Sequence, residues 1–338
     1  MRNILILLLL LMAVSHRTNA QYLHTPEEMS RIMEQSQLRY IIDTLSQAKS
    51  NKQFPLIEKG WWAVPTMEGI QLERREEQAT GKAAADYEKG IRFYQKEKYQ
   101  KAIELCEKAH NHAPGDTEIV KRIGRAYVAI EKIEVAATWF EKALELNRID
   151  FEAHFLLADV YTRNQTRGKA LYHITMAHLL NRNHPDIYRQ LLYVYKEFDQ
   201  PFGKWYFAPS YHLTKVDDKD IRIVSDTEPW TAYANCKAVW QYEPGYREKM
   251  KNLSSAPSEK TEEKECLLNT LIAYEKLTSD KSIYPELATL ARAVPDQKVD
   301  FFILYEIESR AEPLLVHQLA PEQLEALANY VMHYRSIK

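Results

Sequence analysis

Glycine is scarce in this chain, with 9 residues in 338. That shortage excludes a turn-rich β fold and a glycine-rich phosphate loop, and the long Leu/Ala/Glu/Lys stretches point to helices instead. Cysteine is scarcer, with 3 residues, too few for a disulfide framework. No CxxC pair and no HExxH motif is present, so the usual redox and zinc signatures are missing. The formal net charge of -2 gives no global excess of either sign to draw in nucleic acid or an anionic membrane. His110 with His112, and His173 with His178, lack the spacing and third ligand of a metal site. No residue set indicates catalysis, a metal or a cofactor, and the expectation is a binding protein rather than an enzyme.

Long hydrophobic runs are also lacking, with one short exception at the start. Arg2 is followed by an apolar run from Ile4 to Val14, then a polar stretch ending in Thr18-Asn19-Ala20. The run is too short for the roughly twenty apolar residues a spanning helix needs. With small residues at the two places a signal peptidase inspects, residues 1–20 read as a cleavable signal peptide and Gln21 as the mature N-terminus. An uncleaved anchor is the alternative. The expected location is periplasmic or secreted, with no transmembrane segment in the mature chain.

What the chain does have is a period. Aligning Ala83 to Asp116 over Thr117 to Asp150 and then Phe151 to His184 brings the same residue types together every 34 residues. The eighth place holds Gly90, Gly124 and Ala158, and the eleventh holds Phe93, Tyr127 and Tyr161. The twentieth holds Ala102, Ala136 and Ala170, and the twenty-seventh Ala109, Ala143 and Ala177. Small residues at such places let two antiparallel helices approach to about 8–10 Å. The pattern resembles the tetratricopeptide repeat (TPR), and Pro114 matches the proline that usually ends the unit. Arg148 and Arg182 replace that proline in the next two units. A fourth unit starts at Pro185 and then departs at Gln200-Pro201-Phe202-Gly203.

The resemblance implies an all-α fold, a solenoid of helical hairpins whose first helices line a concave groove. The groove places then hold Tyr87, Ile91 and Tyr94, followed by Lys121, Arg125 and Val128. Next come Phe155, Asp159 and Thr162, and finally Arg189, Tyr193 and Lys196. Aromatics interleaved with cations suit a protein or peptide partner carrying acidic groups, and the implied role is a scaffold or adaptor. The groove could instead be filled by the chain's own aromatic segment or N-terminal helix. A carboxylate clamp of the kind some TPR proteins use is incomplete: Lys121 matches, but Arg125 and Leu156 stand where asparagine and a basic residue would be.

The flanks are expected to be mostly helical too. Thr25-Pro26-Glu27-Glu28 reads as a capping box opening a helix to about Ala48, with Met29, Ile32, Met33, Leu38, Ile41, Ile42 and Leu45 on its apolar face. Gly60 to Pro65 reads as an apolar loop packing on the first repeat, and Met67 to Gln78 as a short helix. Residues 202–246 carry ten large aromatic rings, from Phe202 to Tyr246, which read as a packed junction or else as a sugar- or peptide-stacking surface. Ile221 to Val224 fits a strand or a loop. The expected divisions are 1–20, 21–82, the repeats at 83–200 (83–116, 117–150, 151–184 and a partial 185–200), and an aromatic-rich, mostly helical region at 201–338. The alternative function is a carbohydrate- or peptide-binding protein or enzyme with its site in 202–320. Cys106 falls on a core position, while Cys236 and Cys266 could pair in an oxidising compartment.

Overall fold

A computed structural model of the chain describes residues 23–44, 54–75, 79–253, 258–278 and 280–336. The expected signal peptide and Gln21 lie outside the described residues. The described chain divides into two compact units, one made of residues 54–204 and 308–336 and the other of residues 23–44 and 205–307. These divisions fall elsewhere than the sequence suggested. Residues 54–75 and 308–336 both join the repeats, whereas residues 23–44 join the aromatic-rich region.

In the repeat unit the period becomes three helical hairpins. They are α2 (Gly81–Gln95) with α3 (Tyr99–His112), α4 (Thr117–Ala129) with α5 (Ile133–Leu146), and α6 (Phe151–Arg163) with α7 (Arg167–Leu180). A single helix, α8 (Pro185–Glu197), follows. The small residues sit where the helices cross. A Cβ on Gly90 would stand 2.6 Å from the Cys106 sulfur, and one on Gly124 would stand 2.4 Å from the Phe140 ring. Ala102, Ala136 and Ala170 at the twentieth place and Ala109, Ala143 and Ala177 at the twenty-seventh are all 0% exposed.

Each hairpin turns through a left-handed residue that is not glycine. Glu97 (φ 57°), Glu131 (φ 61°), Gln165 (φ 53°) and Asp199 (φ 54°) recur at the repeat spacing. The residue after each donates its N–H back to the helix: Lys98 to Phe93 O at 3.0 Å, Lys132 to Tyr127 O at 3.0 Å, Thr166 to Tyr161 O at 2.8 Å and Gln200 to Tyr195 O at 2.9 Å. With the accompanying bonds from Glu97 to Tyr94 O and its equivalents, these are Schellman caps, which satisfy the last helical carbonyls. The hairpins' other ends are capped in period as well. Asp116 and Asp150 accept from the N–H groups two and three residues on, and His184 accepts from Asp186 N.

Two small sheets are added to this mainly helical chain. Trp61–Thr66 (β2) and Gly69–Arg74 (β3) form an antiparallel hairpin in register from Trp61↔Arg74 to Thr66↔Gly69. The expected loop at Gly60 to Pro65 is therefore a strand. The expected helix at Met67 to Gln78 is a strand up to Arg74, with residues 76–78 outside the described set. Alternating burial along Ile70, Gln71 and Leu72 is strand spacing. The C-terminal helix of this unit, α14 (Pro321–Tyr334), packs on α7. Its last residues are tied to the break after α8: Arg335 donates to Gly203 O at 2.7 Å and lies 5.0 Å over the Phe202 ring.

The other unit begins with α1 (Pro26–Gln35), whose capping box at Thr25 and Glu28 is formed. The helix ends at Gln35 rather than near Ala48, and Leu38, Ile41 and Ile42 lead into or lie on strand β1 (Arg39–Thr44); Leu45 to Ala48 lie outside the described residues. Strand β1 runs parallel to β5 (Asp220–Ser225), which pairs antiparallel with β4 (Tyr211–Lys215). Ile221 to Val224 is thus strand. Helix α9 (Glu228–Tyr242) covers β5 through Ile221, Ile223, Ala234 and Ala238. Then come α10 (Tyr246–Leu253), α11 (Ser258–Leu277), α12 (Pro285–Ala293) and α13 (Val299–Phe302). A fifth Schellman cap, at Gln297 (φ 57°), joins α12 to α13.

The crossing contact predicts a graded result. Gly124→Ala should destabilise the protein by roughly 1–3 kcal/mol, because the ring of Phe140 has to move. Gly115→Ala, where an added Cβ meets nothing within 4 Å, should stay within about 0.5 kcal/mol of the parent. Thermal unfolding of the two variants side by side measures both.

Candidate functional site

The first helices of the hairpins, together with α8, carry every residue expected in the groove, and the structure sorts those residues into two sets. At the first turns of α4 and α6 the charges are internally satisfied. Lys121 is 2% exposed, and its ammonium lies 2.7 Å from Glu118, 2.7 Å from Asp150 and 3.0 Å from Glu152. Burial alone would lower its pKa, yet the three carboxylates raise it above the ordinary lysine value. Arg125 pairs with the other oxygen of Glu152, and Lys59 reaches Glu152 at 2.8 Å. Burial pushes the Glu152 carboxyl up, but Lys121, Lys59 and Arg125 outweigh it and bring the pKa to about 2. Lys121 and Arg125 therefore hold the second unit to the third.

A strap of the same chain crosses this edge. Asn147 and Asn181 occupy the thirty-first place of the second and third units, each at the end of a second helix. Asn147 donates to Trp61 O at 2.9 Å. Asn181 donates to Ile57 O at 3.0 Å and accepts from Ile57 N at 3.3 Å. Asn183 donates to Pro55 O at 2.7 Å. The strap is thus read by its backbone at points one repeat apart. Between it and the repeats lies a cavity of about 280 Å³ lined by Trp61, Arg75, Glu118, Lys121, Asp150 and His317 among others. This covering comes from residues 55–61 of the same unit. The two asparagines were visible in the sequence at equivalent places, and they were the available signal for the strap.

The second set is more open. Tyr87, Ile91 and Tyr94 on α2 are half-buried, with the Arg122 guanidinium 5.5 Å over the Tyr94 ring. Burial raises the Tyr87 phenol above its ordinary value, partly offset by a hydrogen bond from Arg122. Val128 and Phe155 are half-buried, and Thr162 is buried with its hydroxyl donating to Ala158 O. Asp159 pairs with Arg163 at 3.0 Å. On α8, Tyr193 is 52% exposed and Lys196 is exposed. The Arg189 side chain is 77% exposed, and its ion pair is with Asp186 of its own helix.

The aromatic stretch packs inward. Phe207, Trp230, Tyr233, Trp240 and Tyr246 are each under 7% exposed, in edge-to-face contacts such as Phe207 with Trp230 at 5.6 Å and Phe207 with Phe302 at 5.5 Å. Phe202 packs separately in the repeat unit, against Tyr195. These rings form core, while Trp205, Tyr211 and Tyr242 are half-buried. Tyr206, at 41% exposed, is the large exposed exception. Of the histidines singled out in the sequence, His110 and His178 are buried and His173 is half-buried, whereas His112 is exposed. His154 donates to Arg148 O and accepts from His173 at 2.9 Å, and burial holds their pKa values at about 4 and about 3. Lys142 donates to His110 Nε2 at 2.7 Å. Among the described residues no group of three His, Cys, Asp or Glu side chains stands where it could hold a metal. Cys106 is buried under Gly90, and burial pushes its thiol up to about 11. Cys236 and Cys266 are thiols with their sulfurs 3.0 Å apart.

The hairpins, their crossing residues and their period make this a tetratricopeptide-repeat protein in fold. No family model matches the chain, and no curated protein matches it. Similar solved structures include the first TPR domain of RPAP3 bound to an HSP90 peptide, at 22% identity over 35% of this chain and 96% of that one, with a TM-score of 0.34. The first TPR domain of human RPAP3 is similar at 21% identity over 35% and 93%, with a TM-score of 0.34. MamA is similar at 16% identity over 71% and 97%, with a TM-score of 0.33.

The ion cluster makes a pH prediction. A carboxyl held at about 2 in the fold, against an ordinary 4.5, contributes stability that is full above about pH 5 and lost as pH falls toward 2. Lys121→Met should cost about 3–5 kcal/mol at pH 7 by leaving carboxylates buried without their cation. The gap between wild type and variant should narrow between pH 5 and pH 3 in urea titrations followed by circular dichroism. A gap that stays constant would remove the cluster from the account.

Proposed function

We propose that this chain is an exported TPR scaffold that binds an acidic segment of a partner protein along the open part of its first-helix face, centred on α8. The observation that supports this most directly is the contrast at the fifth place. Lys121, in the second unit, has 3% of its side chain exposed, and Arg189, in the fourth, has 77%. Lys121 is closed in by Asp150 at the end of its own unit and by Glu152 at the start of the next. The repeat pattern stops after α8, and the carboxylates 29 and 31 residues beyond Arg189, Asp218 and Asp220, belong to the sheet-containing unit, where they pair with Lys215 and Arg39. An exposed surface pair such as Arg189 with Asp186 contributes little, so the guanidinium remains available to a partner.

Tyr193 and Lys196 complete this face, four residues and seven residues beyond Arg189 on α8, which are helical spacings for one side. Tyrosine and arginine are the residue types that dominate interface energies. Tyr94 and Ile91 extend the same face at the array's other end. The chaperone-tail clamp is disfavoured further, since the one matching lysine, Lys121, is enclosed by carboxylates.

The test is cross-linked affinity capture from the native host with the chain starting at Gln21 as bait. The variant Arg189→Glu/Tyr193→Ala/Lys196→Glu should lose the partner, by about tenfold or more for a hot-spot set, and its recovery should rise with falling salt for wild type only. Equal recovery by both baits would end the α8 reading. Export is checked on its own. N-terminal sequencing of the protein from its host should begin at Gln21, and a chain beginning at Met1 would refute cleavage.

A further inference from the structure

Two thiols in the sheet-containing unit stand closer than packing requires. Cys236 on α9 and Cys266 on α11 are each 0% exposed, and their sulfurs are 3.0 Å apart. Non-bonded carbon atoms rest at about 3.5–4.0 Å, and sulfur is larger, whereas the covalent S–S bond is about 2.05 Å. The sulfurs thus need to close by only about 1 Å.

The approach is set by the helices rather than by the sulfurs. Polar contacts lock α9 to α11 on both sides of the pair. Before it, Tyr233 donates to Glu263 at 2.6 Å. Beside it, Lys237 donates to Glu262 at 2.9 Å and to Glu263 at 2.8 Å. After it, the Trp240 indole N–H donates to Glu265 at 2.6 Å. Glu265, 0% exposed, also accepts from Tyr246 OH at 2.9 Å and from the backbone N–H of His24 at 2.6 Å. Helices pinned in this register carry the two cysteine side chains to one another each time the unit folds. Cys106 lacks such a companion; it fills the space beneath Gly90.

We propose that Cys236 and Cys266 are joined by a disulfide that ties α9 to α11 in the mature protein. This rests on the export reading, because structural disulfides persist in oxidising compartments. The bond forms by exchange with a protein disulfide oxidant of that compartment. One cysteine, as thiolate, attacks a sulfur of the oxidant's disulfide to give a mixed disulfide and release one oxidant thiolate. The second cysteine then attacks the sulfur of the first, the S–S bond of the pair forms, and the oxidant leaves as a dithiol. Two protons and two electrons pass from the cysteines to the oxidant. Both sulfurs are enclosed once the unit is folded, and burial raises both thiols above their ordinary value, so the mixed disulfide forms before α9 and α11 close and the second attack follows as they pack.

The experiment is peptide mapping of the full chain isolated from its own host. The cells are acid-quenched, free thiols are blocked with N-ethylmaleimide in denaturant, and the digest is run without reductant. The expected result is a near-stoichiometric cross-linked pair containing Cys236 and Cys266, with Cys106 alkylated. Alkylated Cys236 and Cys266 would overturn the proposal. Refolding the purified chain in a glutathione redox buffer then separates the causes. A cross-link there would mean that the helices set the sulfurs as described and that the export reading failed. Its absence there would mean that the geometry failed.

Discussion

In the first two repeats the backbone of the first helix lies directly against a side chain of the second, and the remaining architecture depends on that close approach. At Gly124 the facing group is the Phe140 ring, and at Gly90 it is the Cys106 sulfur. No Cβ fits between them, so the helices can close only where the chain provides glycine or, in the third unit, Ala158. Close approach makes the alanines at the twentieth and twenty-seventh places necessary as well, because a larger side chain there would pry the pair apart. It also fixes the turn. The Schellman caps at Glu97, Glu131 and Gln165 bring the second helix back at one repeated geometry, and Asp199 repeats the cap after α8, with residues that carry a Cβ in a conformation usually left to glycine. Low glycine content is compatible with four such turns because the caps' hydrogen bonds, repeated at about 3 Å, offset the backbone cost.

The hairpins then have to be held to one another, and here a single residue serves twice. Asp150 caps α6 through its Oδ1 and receives Lys121 on its Oδ2. The cap and the inter-repeat ion pair therefore stand or fall together. Glu152 adds a second tie, and through Lys59 it also fixes the strap to the repeats. Asn147 and Asn181 repeat that device with neutral groups. Because they bond to backbone rather than side chains, the strap's path follows the repeat spacing whatever its own residues are.

The repeats were legible because close packing leaves a record in residue size at a fixed period. The strands were less so. Met29, Ile32 and Met33 follow helical spacing, and Leu38, Ile41 and Ile42 happen to continue it, although the chain has already turned at Ser36 into β1. A strand whose apolar residues fall by chance on a helical stripe cannot be told apart by periodicity, and the partner that decides it, β5, lies about 180 residues away. The β2–β3 hairpin was closer to legible, in the alternation around Met67-Glu68-Gly69. The non-glycine turns left no compositional mark. Lys121 was placed correctly on the first helix, but its neutralising partners come from 29 and 31 residues further along. A period of 34 makes that visible only when the end of one unit and the start of the next are read as one surface.

Reading the surface that way also accounts for why the array's last helix differs from those before it. In the second unit, the fifth-place Lys121 meets the cap of the next first helix, so the cation there is enclosed and structural. Helix α8 keeps the first-helix sequence, its His184 cap and its Asp199 turn, yet Pro201 ends the pattern before a second helix can form. Arg335 and Phe202 close the break instead, and they do so through a cation over a ring and a backbone carbonyl rather than through another acidic cap. Helix α8 therefore keeps a cation at the fifth place, Arg189, whose ion pair is with Asp186 of its own first turn. The period ends at α8, and that helix carries Arg189, Tyr193 and Lys196 exposed on one side.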